Sequence, residues 1–290
     1  MKYKENFLIS VVIPTKNRAC FLKNAIDSVL AQTYKNIELI VVDGDSSDNT
    51  VALLEQYEHE IKWISEPDKN LADAINKGIN MSSGDYFITL ASDEKLYPYA
   101  VESYIKEIKN NMPDIIFGQT VIVNMINEII NEIKHPCKIS FLDIITLRNK
   151  LPLASSCIKM SIVKKNYFNN SFIVCQDFDF WLKVYEKSKV LFLNIVTAEF
   201  FIHKDSWSGD IRLANNVLKT RLLILDNFFS CRVEYNFLKH KAYVNAYFDY
   251  IDALYSNKLN IKALYYLIKI YISWPLTTFY TRLERRFSRC

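Results

Sequence analysis

Short apolar runs alternate with amphipathic segments in the N-terminal part of the chain. The runs are rich in β-branched residues and predict strands at 9–13, 37–42, 61–65, 86–90 and 115–117. Between them, apolar residues at helical spacing predict helices at 19–32, 50–57, 71–80 and 99–110. Because strands and helices alternate, we predict an α/β fold with a Rossmann-like, mostly parallel sheet flanked by helices.

The alternation weakens after Val123. Further strands are predicted at 154–160, 190–196 and 199–202, and an amphipathic helix at 177–187. From about residue 212 onward the pattern is wholly helical. We therefore predict an α/β domain over residues 1–210, with halves at 1–123 and 124–210, and a helical C-terminal extension over 211–290.

The composition is that of a folded protein, and it excludes several kinds of site. Half of the 290 residues are hydrophobic. The five glycines are too far apart for a G-x-G-x-x-G or G-x-x-x-x-G-K-[ST] loop, so the dinucleotide motif and the P-loop are absent. The six cysteines lack C-x-x-C spacing, which indicates reduced thiols in the cytoplasm. The polar start and the lack of a long apolar run predict neither a signal peptide nor a transmembrane helix.

Positive charge is concentrated near the C-terminus. Residues 232–290 carry ten Lys or Arg against four Asp or Glu, although the net charge of the whole chain is only +4. Lys262 and Lys269 interrupt an otherwise apolar and aromatic helix, which predicts peripheral contact of residues 261–290 with an anionic membrane surface. The alternative is packing on the rest of the chain or on a second subunit of a homo-oligomer. The basic residues form no recognisable nucleic-acid module, so no nucleic acid partner is expected.

Acidic side chains follow two of the predicted strands. Ligands of parallel sheets bind outside the carboxyl ends of the strands. Asp43 and Asp45 come directly after the second strand, where a carboxylate can accept hydrogen bonds from a nucleobase or a ribose; alternatively, both only cap the next helix. Asp93 and Glu94 follow the fourth strand and can hold Mg²⁺ or Mn²⁺ between two phosphates, unless they are simply solvated.

Two further residues are candidates for chemistry. Asp177 and Asp179 lie beside an apolar stretch but cannot share one helix face, so one of them can serve as a general base; the alternative is a pair of helix-capping acids. His203 precedes a Ser- and Asp-rich segment and can bind a metal or donate to a phosphate, or else be an ordinary core or surface histidine.

Six segments of the sequence together resemble the start of the family 2 glycosyltransferases. They are ISVVIPTKNR at 9–18, AIDSVLAQTY at 25–34, IVVDGDSSDNT at 40–50, SEPDK at 65–69, DAINKG at 73–78 and SGDY at 83–86. The resemblance is dense from about residue 8 to 100 and loose from 150 to 210. It implies a GT-A fold, a nucleotide-sugar donor, a divalent metal and inversion at the anomeric carbon.

The resemblance also implies roles for individual residues. By position, the nucleotide and donor would be bound by Pro14, Thr15, Asn17, Asp43, Asp45, Asp73, Lys77, Ser92 and Asp93. Asp93 and Glu94 would hold Mn²⁺ or Mg²⁺, and His203, from its own sequence context, is the third predicted ligand. Asp177 would be the catalytic base that removes the proton of the acceptor hydroxyl.

The implied activity is the transfer of a hexosyl or N-acetylhexosaminyl group, most simply from a UDP-sugar, to a hydroxyl of a glycan or lipid-linked sugar. The expected place is the inner face of the cell membrane, as in the assembly of bacterial surface polysaccharides. Two departures keep an alternative open, a catalytically silent GT-A scaffold that binds the membrane or a partner glycosyltransferase. Glu94 stands where the family usually has Asp, and Gln176 stands where it usually has Glu.

Overall fold

The fold is a mixed sheet covered by helices and followed by a helical part. The computed structural model describes residues 6–124, 126, 128–203 and 211–287. The strands are β1 (Ile9–Thr15), β2 (Ile37–Asp43), β3 (Lys62–Ser65), β4 (Tyr86–Thr89), β5 (Glu94–Leu96), β6 (Ile115–Val123), β7 (Ile129–Ile133), β8 (Ser156–Lys159) and β9 (Val190–Phe201). The helices are α1 (Ala19–Leu30), α2 (Thr50–Glu55), α3 (Leu71–Met81), α4 (Ala100–Asn111), α5 (Phe141–Ile145), α6 (Met160–Lys165), α7 (Gln176–Val184), α8 (Ile211–Cys231), α9 (Lys239–Ser256), α10 (Asn260–Ser273) and α11 (Pro275–Phe287).

The order of strands in the sheet is β3-β2-β1-β4-β8-β6-β9-β5, and β7 pairs with β6. The first four strands are parallel, as the alternating pattern predicts, while β8 runs antiparallel to both of its neighbours. All seven residues of β1 are buried, because helices cover both faces of a parallel sheet. Helix α3 lies close on β1, since a Cβ on Gly78 would come within 2.3 Å of Val12.

Two local predictions are wrong. The pattern predicts separate strands at 190–196 and 199–202, but β9 is a single strand whose pairing with β6 shifts register around Gln119. The bulge lets both halves of β9 pair with the same partner strand. The pattern predicts no strand between 90 and 115, but Glu94 already begins β5, which pairs with the end of β9.

Glu38 joins the opposite, amino-terminal ends of the strands. Its carboxylate accepts hydrogen bonds from the Ser10 hydroxyl at 2.5 Å, from the amides of Ser83 and Gly84, and from Lys62 at 2.8 Å. Burial raises the pKa of Glu38, but the bonds from Lys62, Ser10 and Ser83 outweigh it and lower this pKa to about 2. The charged form of Glu38 therefore stabilises the start of the sheet.

The chain divides into two compact units. One comprises Met1–Lys138 and Leu151–His203, and the other Ile139–Lys150 and Lys204–Cys290. The sequence pattern places the boundary near residue 210 and assigns 139–150 to the α/β part, whereas these residues group with the C-terminal helices. Residues 204–206, which the pattern places after the last strand, and the final three residues of the basic segment lie outside the described residues.

The C-terminal unit contains α5 and α8–α11. Asp249 on α9 pairs with Arg221, Lys150 and Arg285. Burial acts to raise the pKa of Asp249, but these three cations lower it overall. Among the described residues, no helix is both long enough and apolar enough to cross a bilayer.

Candidate active site

Asp43 ends β2 and is fully buried. Its carboxylate accepts hydrogen bonds from the amide and the hydroxyl of Ser46, and from the hydroxyl of Ser65 at 2.7 Å. These bonds hold the turn after β2 closed and do not cap α2, which begins only at Thr50. In the structure, Asp43 thus orders the loop beside it, and its predicted contact with a base or ribose stays a prediction.

Asn17 ties the loop after β1 to the loop after β2. Its backbone N–H donates to the Ser46 hydroxyl at 2.7 Å, and its side-chain oxygen accepts from the Ser47 amide at 2.8 Å. Its φ of 52° is left-handed, a conformation that Asn adopts more readily than most residues. The predicted nucleotide residues Asn17 and Asp43 therefore meet through Ser46.

Thr15 lies beside Asp43 in the pairing of β1 with β2. Its hydroxyl is buried and has no hydrogen-bond partner within the part of the chain that the structure describes. Leaving a buried hydroxyl unpaired costs free energy, so this group is suited to bonding a ligand. Pro14 lies one residue earlier in the same strand, beside Val42, and Asp45 is exposed with a φ of 63°.

Asp68 is a further acidic side chain at this edge; it lies in the SEPDK segment, but no role is predicted for it from the sequence. Its carboxylate lies against Gly44, where a Cβ would come within 2.2 Å of Asp68 Oδ2. Only glycine fits at residue 44 without displacing Asp68. Burial raises the pKa of Asp68 and outweighs the charges of Lys16 and Lys77, which lower it, so this pKa lies above its usual value.

Asp73 and Lys77 lie in the first two turns of α3 and hold the segment after β3. Asp73 accepts a hydrogen bond from the Lys69 amide at 3.1 Å, and this bond lowers the pKa of Asp73. The Lys77 ammonium pairs with Glu66 at 2.9 Å and donates to the Pro67 carbonyl at 2.7 Å. The predicted donor residues are thus already engaged with the chain itself.

Asp93, His203 and Arg18 form a cluster at the end of β4. His203 Nε2 lies 3.0 Å from Asp93 Oδ2, and Arg18 Nη1 lies 3.2 Å from His203 Nε2 and 3.5 Å from Asp93 Oδ2. The His203 ring stacks on Phe21 with their centroids 4.3 Å apart, and its side chain is only 1% exposed. The structure therefore brings together two of the three predicted metal ligands.

Glu94, the third predicted ligand, is held differently. Its Oε2 accepts a hydrogen bond from the Ala91 amide at 2.7 Å. Burial raises the pKa of Glu94 to about 8, and the neighbouring Asp93 charge adds to this effect. Ser92, which precedes Asp93, is buried. Over residues 6–124, 126, 128–203 and 211–287, no group of three His, Cys, Asp or Glu side chains can hold a metal ion.

The loops after β1, β2 and β4 lie together because Asn17 and Arg18, which are neighbours in sequence, contact different loops. Asn17 bonds to the loop after β2, and Arg18 contacts Asp93 after β4. Sequence reasoning did not include Arg18 among the site residues. Its place in the VIPTKNR segment was the only indication, since its partners Asp93 and His203 are distant in sequence.

Asp177 lies in the first turn of α7, the place that the sequence predicts for it. Its Oδ1 accepts a hydrogen bond from the Phe178 amide at 2.8 Å. The residue before the helix, Cys175, has a left-handed φ of 62°. Gln176, where the family usually has Glu, is buried and donates to the Ile173 carbonyl at 3.2 Å.

One side of α3 holds the loop that leads to α7 through an amide row, which we define as Asn70, Asn76 and Asn80. These side chains bond to Asn170, Phe168 and Tyr167, respectively. Asn76 makes two of the bonds, because it donates to the Phe168 carbonyl at 2.8 Å and accepts from the Phe168 amide at 3.0 Å. Asn or Asp at every third or fourth position from 70 to 80 was the sequence sign of this row.

A comparison with known proteins identifies the family. Residues 10–172 match the sequence profile of Glycosyl transferase family 2, which is more than half of the chain. The chain belongs to this family. The family resemblance predicted from the sequence motifs is therefore confirmed.

Similar family 2 proteins include one with a specific name. UDP-Glc:alpha-D-GlcNAc-diphosphoundecaprenol beta-1,3-glucosyltransferase WfgD of Escherichia coli is 30% identical over 196 residues, which cover 66% of this chain and 74% of that protein. An uncharacterized glycosyltransferase of Rickettsia bellii (strain RML369-C) is 31% identical over 218 residues, which cover 72% of this chain. The chain spans about a third of the length of the relatives from Rickettsia bellii and Rickettsia conorii.

Two solved structures resemble the fold over 96% of this chain. TarS 1–349 from S. aureus, in complex with UDP-GlcNAc, has a TM-score of 0.61 at 17% identity, with 92% of its chain covered. Mannosyltransferase PcManGT from Pyrobaculum calidifontis, in complex with GDP-Man and Mn²⁺, has a TM-score of 0.59 at 14% identity, with 86% covered. These similarities confirm the predicted GT-A fold with a helical C-terminal part.

Proposed function

We propose that this family 2 protein is an inverting glycosyltransferase that moves a hexosyl or N-acetylhexosaminyl group from a UDP-sugar to a hydroxyl of a lipid-linked glycan. The observation that carries the proposal is the convergence of three loops at one sheet edge, held together by Asn17 and Arg18. The acceptor named for the relative from Escherichia coli is a diphosphoundecaprenol-linked sugar, which supports a lipid-linked acceptor. The working place would be the inner face of the cell membrane.

The donor would lie across the loops after β1, β2 and β4. The Thr15 hydroxyl, which has no hydrogen-bond partner among the described residues, would be available to the nucleotide, and Asp43 keeps the adjoining loop in place. Arg18, beside Asp93, would supply positive charge to a diphosphate, and Lys77 would do so by leaving its contact with Glu66. Because the chain has no glycine-rich phosphate loop, charged side chains must take over the role that backbone amides have in such loops.

The residues present suit a divalent cation at Asp93 and His203, whose side-chain atoms lie 3.0 Å apart. A carboxylate with an imidazole favours Mn²⁺ over Mg²⁺, because Mg²⁺ takes oxygen ligands almost exclusively. When bound there, the cation would neutralise charge that develops on the leaving diphosphate. Glu94 is not needed as a ligand, since its carboxyl group already bonds to the Ala91 amide.

Asp177 would act as the base that takes the proton from the acceptor hydroxyl as that oxygen attacks the anomeric carbon. A correctly placed general base contributes about 10²- to 10⁴-fold to the rate. The amide row fixes the loop that precedes α7, so it supports the position of this carboxylate. Asp179 pairs with Lys183 at 2.6 Å, and Asp177 is the one of the two acids that the family resemblance assigns as the base.

The decisive experiment compares Asp177→Asn with Asp179→Asn, a matched change on the same helix turn. With a panel of UDP-sugars and a short lipid-linked acceptor, product formation should fall by about 10²-fold or more for Asp177→Asn and change little for Asp179→Asn. UDP binding should be the same in both variants. Equal turnover in the two variants would remove Asp177 from the proposal.

The second candidate is a catalytically silent GT-A scaffold that binds the membrane or a partner glycosyltransferase. The engagement of Glu94 with Ala91 and the presence of Gln176 favour it. Calorimetric titration with UDP in the presence and absence of Mn²⁺ separates the two. Nucleotide binding that depends on Mn²⁺ and weakens in Asp93→Ala supports the enzyme, and its absence supports the scaffold.

A further inference from the structure

Helix α10 presents a row of large apolar side chains to solvent. The row consists of Ile261, Leu264, Tyr265, Ile268 and Ile272, which are between 50% and 89% exposed. Their spacing of three and four residues places them on one side of the helix. The opposite side carries Ala263 and Ile270, which are fully buried. The exposed side of α10 is therefore as apolar as its buried side.

Helix α11 continues this arrangement. Leu276, Phe279 and Tyr280 are all more than half exposed and again share one side, while Thr278 is buried. We call these eight outward side chains of α10 and α11 the apolar face. Exposed apolar side chains gathered in this number normally mark an interaction surface.

Positive charge borders the apolar face. Lys262 and Lys269 each follow a residue of the row and so lie about 100° around the helix from it. Their ammonium groups lie over the rings of Tyr250 and Tyr247, at 5.9 and 5.8 Å from the centroids. Helix α10 has no Asp or Glu, and Glu284, the one acid of α11, pairs with Lys241 at 2.9 Å. The border is cationic with no free acid on α10 to balance it.

This charge distribution distinguishes two occupants. In a dimer with two-fold symmetry the same patch meets itself, and when α10 packs antiparallel to its copy the lysine borders lie on the same side and repel each other. An anionic lipid surface instead attracts them while the apolar side chains enter the boundary between headgroups and acyl chains. The charge pattern favours the lipid surface.

We propose that the apolar face binds an anionic lipid bilayer, with α10 lying in the plane of the membrane and its lysines at the level of the headgroups. The inference deepens the proposed function, on which it rests for the lipid-linked acceptor, and it names the part of the chain that contacts the membrane. Helices of this kind enter about 5–10 Å into the bilayer. Binding would therefore be peripheral and reversible.

The test is co-sedimentation of the full chain with vesicles of phosphatidylcholine, alone or with phosphatidylglycerol. The variant Ile268→Glu/Ile272→Glu should bind the anionic vesicles at least about tenfold more weakly than the unaltered chain. The matched control is Val233→Glu/Phe237→Glu, which adds the same charges at two exposed apolar residues outside α10 and α11. Both double variants add two negative charges to the chain. Once this shared effect is subtracted, the control should bind within about twofold of the unaltered chain.

Each lysine should contribute separately and only with anionic lipid. Lys262→Gln and Lys269→Gln should each weaken binding to the anionic vesicles about fivefold, and leave binding to pure phosphatidylcholine unchanged. Circular dichroism of every variant checks that the helices are retained.

Three results would overturn the inference. The first is that the unaltered chain does not bind anionic vesicles, and the second is that the control variant loses as much vesicle binding as Ile268→Glu/Ile272→Glu. The third is a dimer in analytical ultracentrifugation that Ile268→Glu/Ile272→Glu dissociates, which would assign the face to a second copy. Transfer to a water-soluble acceptor separates this inference from the proposed function. If the unaltered chain transfers no sugar to a water-soluble acceptor, the proposed function is wrong. Vesicle binding tests the apolar face alone.

Discussion

Replacing Glu38 by Gln removes the charge that joins the amino-terminal ends of β1, β2, β3 and β4. The carboxylate takes bonds from Ser10, Ser83, Gly84 and Lys62, and an amide offers only one oxygen to these donors. The pKa of about 2 lies about 2.5 units below the usual value for Glu. At about 1.4 kcal/mol per unit, the charge contributes about 3 kcal/mol to the free energy of unfolding at neutral pH.

The sign of the effect follows from the direction of the shift. Because the folded-state pKa is lowered, the contribution is complete above the unfolded-state value near 4.5 and is lost as the pH falls toward 2. Urea unfolding at pH 7 should therefore show Glu38→Gln less stable by about 3 kcal/mol, and at pH 2.5 the gap should narrow to about 1 kcal/mol, because the folded-state pKa lies just below that pH.

The control is Glu58→Gln, an exposed carboxylate that produces the same change in net charge. It should alter the free energy of unfolding by less than about 0.5 kcal/mol at either pH. A gap between Glu38→Gln and the unaltered chain that is the same at pH 7 and pH 2.5 would refute the reasoning. The loss would then come from packing rather than from the charge.

Two further predictions concern packing and the position of α7. In Gly118→Ala, the new Cβ would come within 2.1 Å of the buried Thr197 hydroxyl, so we expect the free energy of unfolding to fall by about 1–3 kcal/mol in thermal or urea unfolding. Combining Gly118→Ala with Thr197→Ala should cost less than the sum of the two single changes. Simple additivity would contradict the proposed clash. In Asn76→Asp, the bond from the Phe168 amide is kept but the bond to its carbonyl is lost, so kcat should fall about tenfold with the KM for the donor little changed. Asn80→Asp keeps the acceptor that Tyr167 uses and should leave kcat unchanged, and an equal fall in both variants would argue against a positioning role for Asn76.

The N-terminal half of the fold was predictable because its determinants are local. The apolar run of β1 and the helical spacing of α1 each report on about ten neighbouring residues, and the turn around Asp43 is built from Ser46 close by. Asp177 in the first turn of α7 was also expected. Periodicity and turn composition carry such information.

The remaining features depend on residues far apart in sequence. The metal prediction already pairs Asp93 with His203, but Arg18 meets them only after their strands are placed in the same sheet, and nothing near Arg18 indicates these two partners. The direction of Glu94 is decided by burial and by the Ala91 amide, which a loop motif does not reveal. The bulge in β9 is set by its pairing with β6, so the sequence of β9 alone suggests two strands.

The amide row has a consequence for attempts to redesign this protein. Helix α3 contains Asp73 and Lys77, which are predicted to bind the donor. Through Asn76 the same helix also bonds to the loop that leads to Asp177. A substitution in α3 meant to change the choice of sugar would therefore also disturb the position of Asp177, the residue that we propose as the base. Substitutions for donor and acceptor choice would be epistatic, so they have to be selected together rather than combined from separate screens.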